Sequence, residues 1–245
     1  MISKTSLNKI VHKLKSKELL KSLNECRKNE RGGFLIPSSS KATDTDYEKY
    51  RHLPVNWSIP PISQDDLPEE FSPHAVKTVD MFRRKTYDLN FECMIYFDYK
   101  TGNIVSCSFS DETSFNKVQS IIFPHLIRNM SIASIHNHPV QCGTPPSGKN
   151  FEMLGLEFEE FELISSQKEL WILESREKLF SDDEIEVIHK KIDEFYELLD
   201  LEINSQTSED FIFIDTLNRV YGDFLLSYLN DEYDNIKLSR RYLHD

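Results

Sequence analysis

Two histidines one residue apart, His136 and His138, constrain this chain more than any other feature of it. They follow a short apolar run that starts at Ile132, and Pro139 comes directly after them, which is typical of the end of a β-strand. Because residues i and i+2 of a strand share one face, both imidazoles are expected to point the same way. The pair therefore predicts two ligands of one metal ion, and the simpler alternative is a polar strand end that binds nothing.

The segment after the histidines predicts a loop that leads into a helix. It contains Gly143 and the pair Pro145-Pro146, and it ends at Ser147, a residue type that caps helices well. A helix from Ser147 to about residue 157 would place Asn150 at its third helical position. From there the amide oxygen of Asn150 can reach an ion bound at the end of the strand.

The residues HNHP, a short loop and PPSGKN resemble the JAB/MPN (JAMM) metalloprotease family, especially its RadC-like branch, over roughly residues 91–175. That family's pattern is a distant Glu, then HxHP, then SxxD. The two His and the Asp hold zinc, the Ser orients the catalytic water or stabilises the oxyanion, and the Glu is the general acid/base. His136, His138 and Ser147 match the pattern. Asn150 stands in place of the Asp, and the loop is one residue longer than usual.

The resemblance implies a Zn²⁺ site with His136, His138 and Asn150 as ligands and with Ser147 as a catalytic residue. Glu92 is the candidate general acid/base, because it starts an apolar run that predicts a buried strand. Its alternative is an edge residue that faces solvent. Glu112 is a weaker candidate for the same role, since Ser110-Asp111-Glu112-Thr113 is typical of an exposed helix start.

The third ligand position has several alternatives, which rank as Asn150, then Cys142, then water alone. A helix-capping Asn150 in a site that has lost its metal is a further possibility. An amide contributes a neutral oxygen where the family has a carboxylate, so zinc affinity is expected to be lower. On this basis Asn150→Asp is expected to bind zinc more tightly than the natural chain.

Apolar spacing along the middle of the chain predicts strands and helices that alternate around one sheet. The strands are predicted at 91–98, 104–109, 132–138, 161–165 and 170–174, and the helices at 73–85, 114–127 and 147–157. Alternating elements of this kind indicate an α/β domain. The resemblance implies a JAB/MPN-like mixed sheet flanked by helices.

Four regions are predicted along the chain: a basic helical arm at 1–31, an irregular linker at 32–72, the metal-binding domain at 73–178 and a helical tail at 179–245. The linker either joins two regions or wraps the domain surface, and its aromatic residues favour partial docking. The tail carries two amphipathic stripes, which predict an N-capped helix and a second helix joined as a helical hairpin. The hairpin packs either on the α/β domain or against a second copy or another partner.

The charge is divided unevenly, with a net +6 in residues 1–31 and a net −18 in the remainder. An acidic body is a poor surface for nucleic acid, whereas the basic arm could contact nucleic acid or an anionic surface, or fold back on the body. No apolar run approaches the ~20 residues of a membrane span. A charged N-terminus without an apolar core and four scattered cysteines without a CxxC pair predict a cytoplasmic location.

Two functions follow from these patterns. The first is a zinc-dependent peptidase or isopeptidase, a hydrolase that cuts an amide of a protein or peptide substrate with metal-activated water. The second is a catalytically inactive JAB-like interaction module that assembles a complex through the basic arm and the helical tail. Metal content of the purified protein is expected to separate them.

Overall fold

The computed structural model describes residues 44–110, 131–139, 145–146, 150, 159–175, 182–204 and 212–243. Six strands form one sheet: β1 (Cys93–Asp98), β2 (Ile104–Phe109), β3 (Ile132–Asn137), β4 (Glu159–Ser165), β5 (Glu169–Ser175) and β6 (Ile236–Tyr242). Their order across the sheet is β2-β1-β3-β4-β5-β6. Every neighbouring pair is antiparallel except β3 and β4, which are parallel. The sheet is therefore mixed, and the chain belongs to the predicted α/β class.

The described part of the chain contains four α-helices beside the sheet: α1 (Asp44–Arg51), α2 (Pro73–Thr86), α3 (Asp182–Asn204) and α4 (Ile212–Glu232). The predicted positions of α2 and of β1 to β5 agree with these bounds to within two residues. The predictions for the basic arm, for the helices at 114–127 and 147–157, and for Ser147, Cys142 and Glu112 lie outside the described residues. Within the described ranges, no helix has the length and apolar character that crossing a membrane requires.

Helix α2 forms where the sequence signals predict it. Ser72 caps it by accepting a hydrogen bond from the N–H of Ala75 at 3.1 Å, and Pro73 occupies the first turn, where a missing N–H costs nothing. Its buried side, which includes Ala75, Val79 and Phe82, packs against one face of the sheet. This helix and that face form the main hydrophobic core.

Residues 44–72 dock on the same core. Tyr50 and Phe71 are both buried in it. The ammonium of Lys85 on α2 donates hydrogen bonds to the carbonyls of Tyr50 and Arg51, at 3.0 and 2.7 Å, and so holds the carboxyl end of α1 against α2. The stretch predicted as a linker or surface arm thus contains a helix and contributes buried side chains.

Strand alternation divides the central residues of the sheet between two faces. Ile95, Ile135 and Leu163 are register partners across β1, β3 and β4, and they lie in the core beneath α2. The register partners one position along, Met94, His136 and Ile164, belong to the opposite face. The two histidines are therefore separated from the α2 core by the sheet.

The C-terminal residues cover part of this second face. Strand β6 pairs along the whole of β5, and α4 packs so closely on the sheet that a Cβ on Gly222 would lie 2.6 Å from Cη2 of Trp171. Phe195 of α3 stacks on Phe224 of α4 with ring centroids 4.4 Å apart. The two predicted tail helices are thus in contact with each other, and α4 also packs on the α/β sheet. Strand β6, which the sequence analysis did not predict, extends that sheet.

Candidate metal site

His136 and His138 lie where β3 ends and the chain leaves the sheet toward the parallel strand β4. This carboxyl edge of a parallel strand is a common location for ligand sites in α/β proteins. His136 is buried and His138 is half-buried. The N–H of His138 donates to the carbonyl of Ser165 at 2.8 Å, which holds the backbone beyond β3 beside β4. As predicted, both imidazoles lie on the same side of the strand.

The two rings point their Nε2 atoms at each other across 3.1 Å. Two nitrogens bound to one tetrahedral zinc, each ~2.0–2.1 Å from it, are separated by roughly 3.3 Å. The observed separation is therefore close to that of two ligands of the same ion. The same distance also suits an N–H···N hydrogen bond between the two rings, with the donor set by the tautomers.

The environment of His136 holds its ring in the neutral form. Burial, and after it the neighbouring His138, lower the pKa of His136 well below its usual value. A neutral imidazole is the state that binds a metal, so at neutral pH His136 needs to lose no proton to act as a ligand.

Asn150 is buried beside the histidines. Its Nδ2 lies 3.4 Å from Nε2 of His136, and it donates a hydrogen bond of 2.7 Å to Oε1 of Glu162 on β4. The same Oε1 lies 3.5 Å from Nδ1 of His136. The structure therefore brings together three residues named from the sequence, His136, His138 and Asn150, and adds a buried carboxylate next to them.

Glu92 lies at the edge of the same face. Its N–H donates to Oγ of Ser110 at 2.9 Å and its carbonyl accepts from the N–H of Ser110 at 2.8 Å, so the pairing of β1 with β2 continues to this residue. Met94, two residues further on, has its Cα paired with that of His136. Strand alternation consequently places Glu92 on the histidine face, half-buried.

Asn137 holds the backbone on both sides of Glu92. Its Oδ1 accepts a hydrogen bond from the N–H of Cys93 at 2.7 Å, and its Nδ2 donates to the carbonyl of Phe91 at 3.0 Å. The residue is almost fully buried. Where β1 and β3 separate, the Asn137 side chain thus makes the hydrogen bonds that backbone groups of a neighbouring strand would otherwise make.

The tail reaches the segment that precedes Ser147. The hydroxyl of Tyr221 on α4 donates to the carbonyl of Pro146 at 3.1 Å, and Pro145 and Pro146 are both buried. Helix α4 therefore fixes one point of the connection between His138 and Asn150.

Sequence reasoning missed Glu162, Asn137 and Tyr221. A signal was present for Glu162, which stands between Phe161 and Leu163 in a predicted buried strand, where a carboxylate is costly without partners. Nothing comparable marked Asn137 or Tyr221.

Among the described residues, no group of three or more His, Cys, Asp or Glu side chains is arranged to hold a metal ion. The spacing of the two imidazole nitrogens fits two ligands of one zinc ion. The candidates for the third position are the amide of Asn150, a residue outside the described ranges such as Cys142, or water alone.

Comparison with known proteins assigns the chain to no family. No family model, no curated protein and no solved structure matches it.

Proposed function

We propose that this protein is a zinc-dependent peptidase or isopeptidase that resembles the JAB/MPN proteins and acts on a protein or peptide substrate. The observation that carries the proposal is the 3.1 Å convergence of the Nε2 atoms of His136 and His138 at the end of β3. These two rings and Oδ1 of Asn150 would hold the zinc. When bound, zinc would lower the pKa of a water to about 7 and polarise the scissile carbonyl.

Glu92 would transfer the proton. A carboxylate on the histidine face can take a proton from the attacking water and later give it to the leaving amine. Hydrogen bonds with Ser110 and Asn137 hold the backbone of residues 91–93. They thereby fix the backbone position from which the Glu92 side chain extends. Ser147 would orient the water or stabilise the oxyanion, as the family pattern implies.

A cytoplasmic setting belongs to the same proposal. Cys93 and Cys107 are buried as free thiols on neighbouring strands. Thiols that stay reduced are typical of the cytoplasm.

The second candidate is a catalytically inactive module that assembles a complex. It is favoured by one observation, namely that Asn150 turns its amide nitrogen toward Glu162 and His136. An N–H₂ group cannot bind a cation. If that nitrogen stays at the third ligand position, the site lacks the oxygen that catalysis needs.

Metal content and Glu92→Gln together test the two candidates. An enzyme is expected to purify with about one zinc per chain and to cleave a ubiquitin-like fusion or a generic peptide pool. Glu92→Gln should keep the zinc and lose cleavage, because the amide preserves the shape but cannot take a proton. The matched control is Glu69→Gln, which alters an exposed carboxylate and should cleave normally.

The inactive module predicts no cleavage by the natural chain at any zinc concentration. Undiminished cleavage by Glu92→Gln would instead show that another residue transfers the proton.

A further inference from the structure

We propose that Glu162 fixes the tautomer of His136, holds the amide of Asn150 and carries the negative charge that the family pattern places at position 150. This inference rests on the proposed zinc site. It assigns a role to a residue outside the motif, on the strand that runs parallel to the histidine strand. Ser134 on β3 is its register partner, and His136 is the next residue on that face.

The burial of Glu162 requires a compensating charge. The residue is 1% exposed, and a carboxylate removed from water costs several kcal/mol unless hydrogen bonds or a cation offset it. One hydrogen bond comes from the neutral amide of Asn150 at 2.7 Å. A divalent cation at the nearby Nε2 pair would add a positive charge that offsets part of this cost.

The position of Oε1 also decides which atoms of the ligands face the ion. It lies 3.5 Å from Nδ1 of His136, and the carboxylate charge favours the tautomer that carries its proton there. Nε2 of His136 then keeps a lone pair for a metal. Carboxylates that contact the far nitrogen of a ligand histidine have this effect in many metal sites.

The same oxygen selects the orientation of the Asn150 amide. Because Nδ2 donates to Glu162, Oδ1 is the amide atom that can bind an ion. Nδ2 also lies 3.4 Å from Nε2 of His136, so binding of an ion at that point by Oδ1 would require the amide to turn about its last side-chain bond.

An Asp at position 150 would not have this arrangement. Its carboxylate would stand where a nitrogen now lies 2.7 Å from Oε1 of Glu162, and two buried carboxylates at that distance repel each other. The expectation that Asn150→Asp tightens zinc binding considered position 150 alone. With Glu162 in place, we expect Asn150→Asp to bind zinc no more tightly than the natural chain.

Exchanging the two side chains tests the proposal. We would measure zinc affinity by competition with a chelator for the natural chain, Glu162→Gln, Asn150→Asp and the double variant. Glu162→Gln should lose about 10- to 100-fold in affinity, the usual range for removing such a carboxylate. The double variant, which keeps one carboxylate in the pair, should return to within about tenfold of the natural affinity.

Two further readouts separate orientation from simple folding defects. In the metal-free natural chain, nitrogen NMR should show His136 protonated at Nδ1, and in Glu162→Gln the two tautomers should mix. Unfolding of the metal-free variants should show Asn150→Asp destabilised and the double variant recovered. Glu174→Gln is the matched control, since it alters a carboxylate of β5 on the opposite face of the sheet and should change neither zinc affinity nor tautomer.

The proposal is overturned if Glu162→Gln binds zinc as tightly as the natural chain. It is also overturned if Asn150→Asp changes affinity equally with Glu and with Gln at position 162. In both cases zinc binding by the natural chain would leave the proposed function standing. If the natural chain binds no zinc, both proposals fail.

Discussion

The Nε2 atoms of His136 and His138 lie 3.1 Å apart, although one ring is buried in the sheet and the other is half-exposed beyond its edge. Alternation along β3 explains why both rings are on one side. It does not explain why the nitrogens converge, which depends on the hydrogen bond that holds His138 beside Ser165 of β4.

His136→Ala and His138→Ala are both expected to lose zinc, because each removes one of the two converging nitrogens. His136→Ala should also cost about 1–3 kcal/mol in the free energy of unfolding, since it empties a buried position beside Glu162. His138→Ala should cost less. Elemental analysis and urea titration measure the two effects, with the exposed His74→Ala as control. Full zinc retention in either variant would show that the site is elsewhere.

Asn137→Ala is expected to destabilise the fold by about 2–4 kcal/mol, because it leaves the buried N–H of Cys93 and the carbonyl of Phe91 without their partner. Asn137→Asp should cost at least as much, because its buried carboxylate still accepts from Cys93 but faces the carbonyl of Phe91 without a donor. Urea unfolding measures the free energy of unfolding of the natural chain and the two variants. A loss below 1 kcal/mol for Asn137→Ala would mean that water or backbone replaces the amide at little cost.

Gly222→Ala is expected to destabilise the chain by about 1–3 kcal/mol through overpacking. The new Cβ would lie 2.6 Å from Cη2 of Trp171, whose ring is fully buried and has no room to shift. Thermal unfolding provides the measurement, and Glu232→Ala at an exposed site of the same helix is the control. Unchanged stability would indicate that α4 packs less closely on β5 than the structure shows.

Deletion of residues 181–245 is expected to abolish cooperative unfolding. The sequence alone left open whether the predicted hairpin in this region packs on the α/β domain or against a partner. In the structure the deletion removes β6, α4 and the hydrogen bond from Tyr221 to Pro146, and it uncovers Trp171. Circular dichroism during heating and size-exclusion chromatography would test this. A truncated chain that melts cooperatively and keeps zinc would contradict it.

The stability of the natural chain is expected to fall between pH 10 and 12 in part through Tyr99. Burial, and after it the hydrogen bond to Glu160, raise the pKa of Tyr99 from 10.0 to about 12. The folded state holds this proton more tightly than the unfolded chain, so the contribution is complete below pH 10 and is lost as the pH passes 12. In urea titrations, Tyr99→Phe should flatten the dependence of the unfolding free energy on pH between 10 and 12. The control Tyr47→Phe, at an exposed position, should leave that dependence unchanged. Equal slopes for both variants would assign the alkaline loss to other groups.

Local sequence patterns were sufficient to predict most of the helices and strands that the structure describes. The cap at Ser72, the apolar run before Asp98 and the alternation around His136 each depend on residues within a few positions of one another. Such signals predicted α2 and five strands, and they placed His136 and His138 on a common face. They did not predict β6, because Ile236–Tyr242 is a short segment after the hairpin in which three of the seven residues are charged.

The sequence by itself thus determined the α/β class, the predicted strand ends and the pair of imidazoles. Only the tertiary structure decided which groups surround that pair. Glu162 reaches His136 because β4 pairs in parallel with β3, and Asn137 holds Phe91 and Cys93 because β1 pairs with β3 from the other side. These contacts join residues 26 to 46 positions apart. A carboxylate or an amide in the sequence has no intrinsic partner, and strand pairing and register determine the one that it meets.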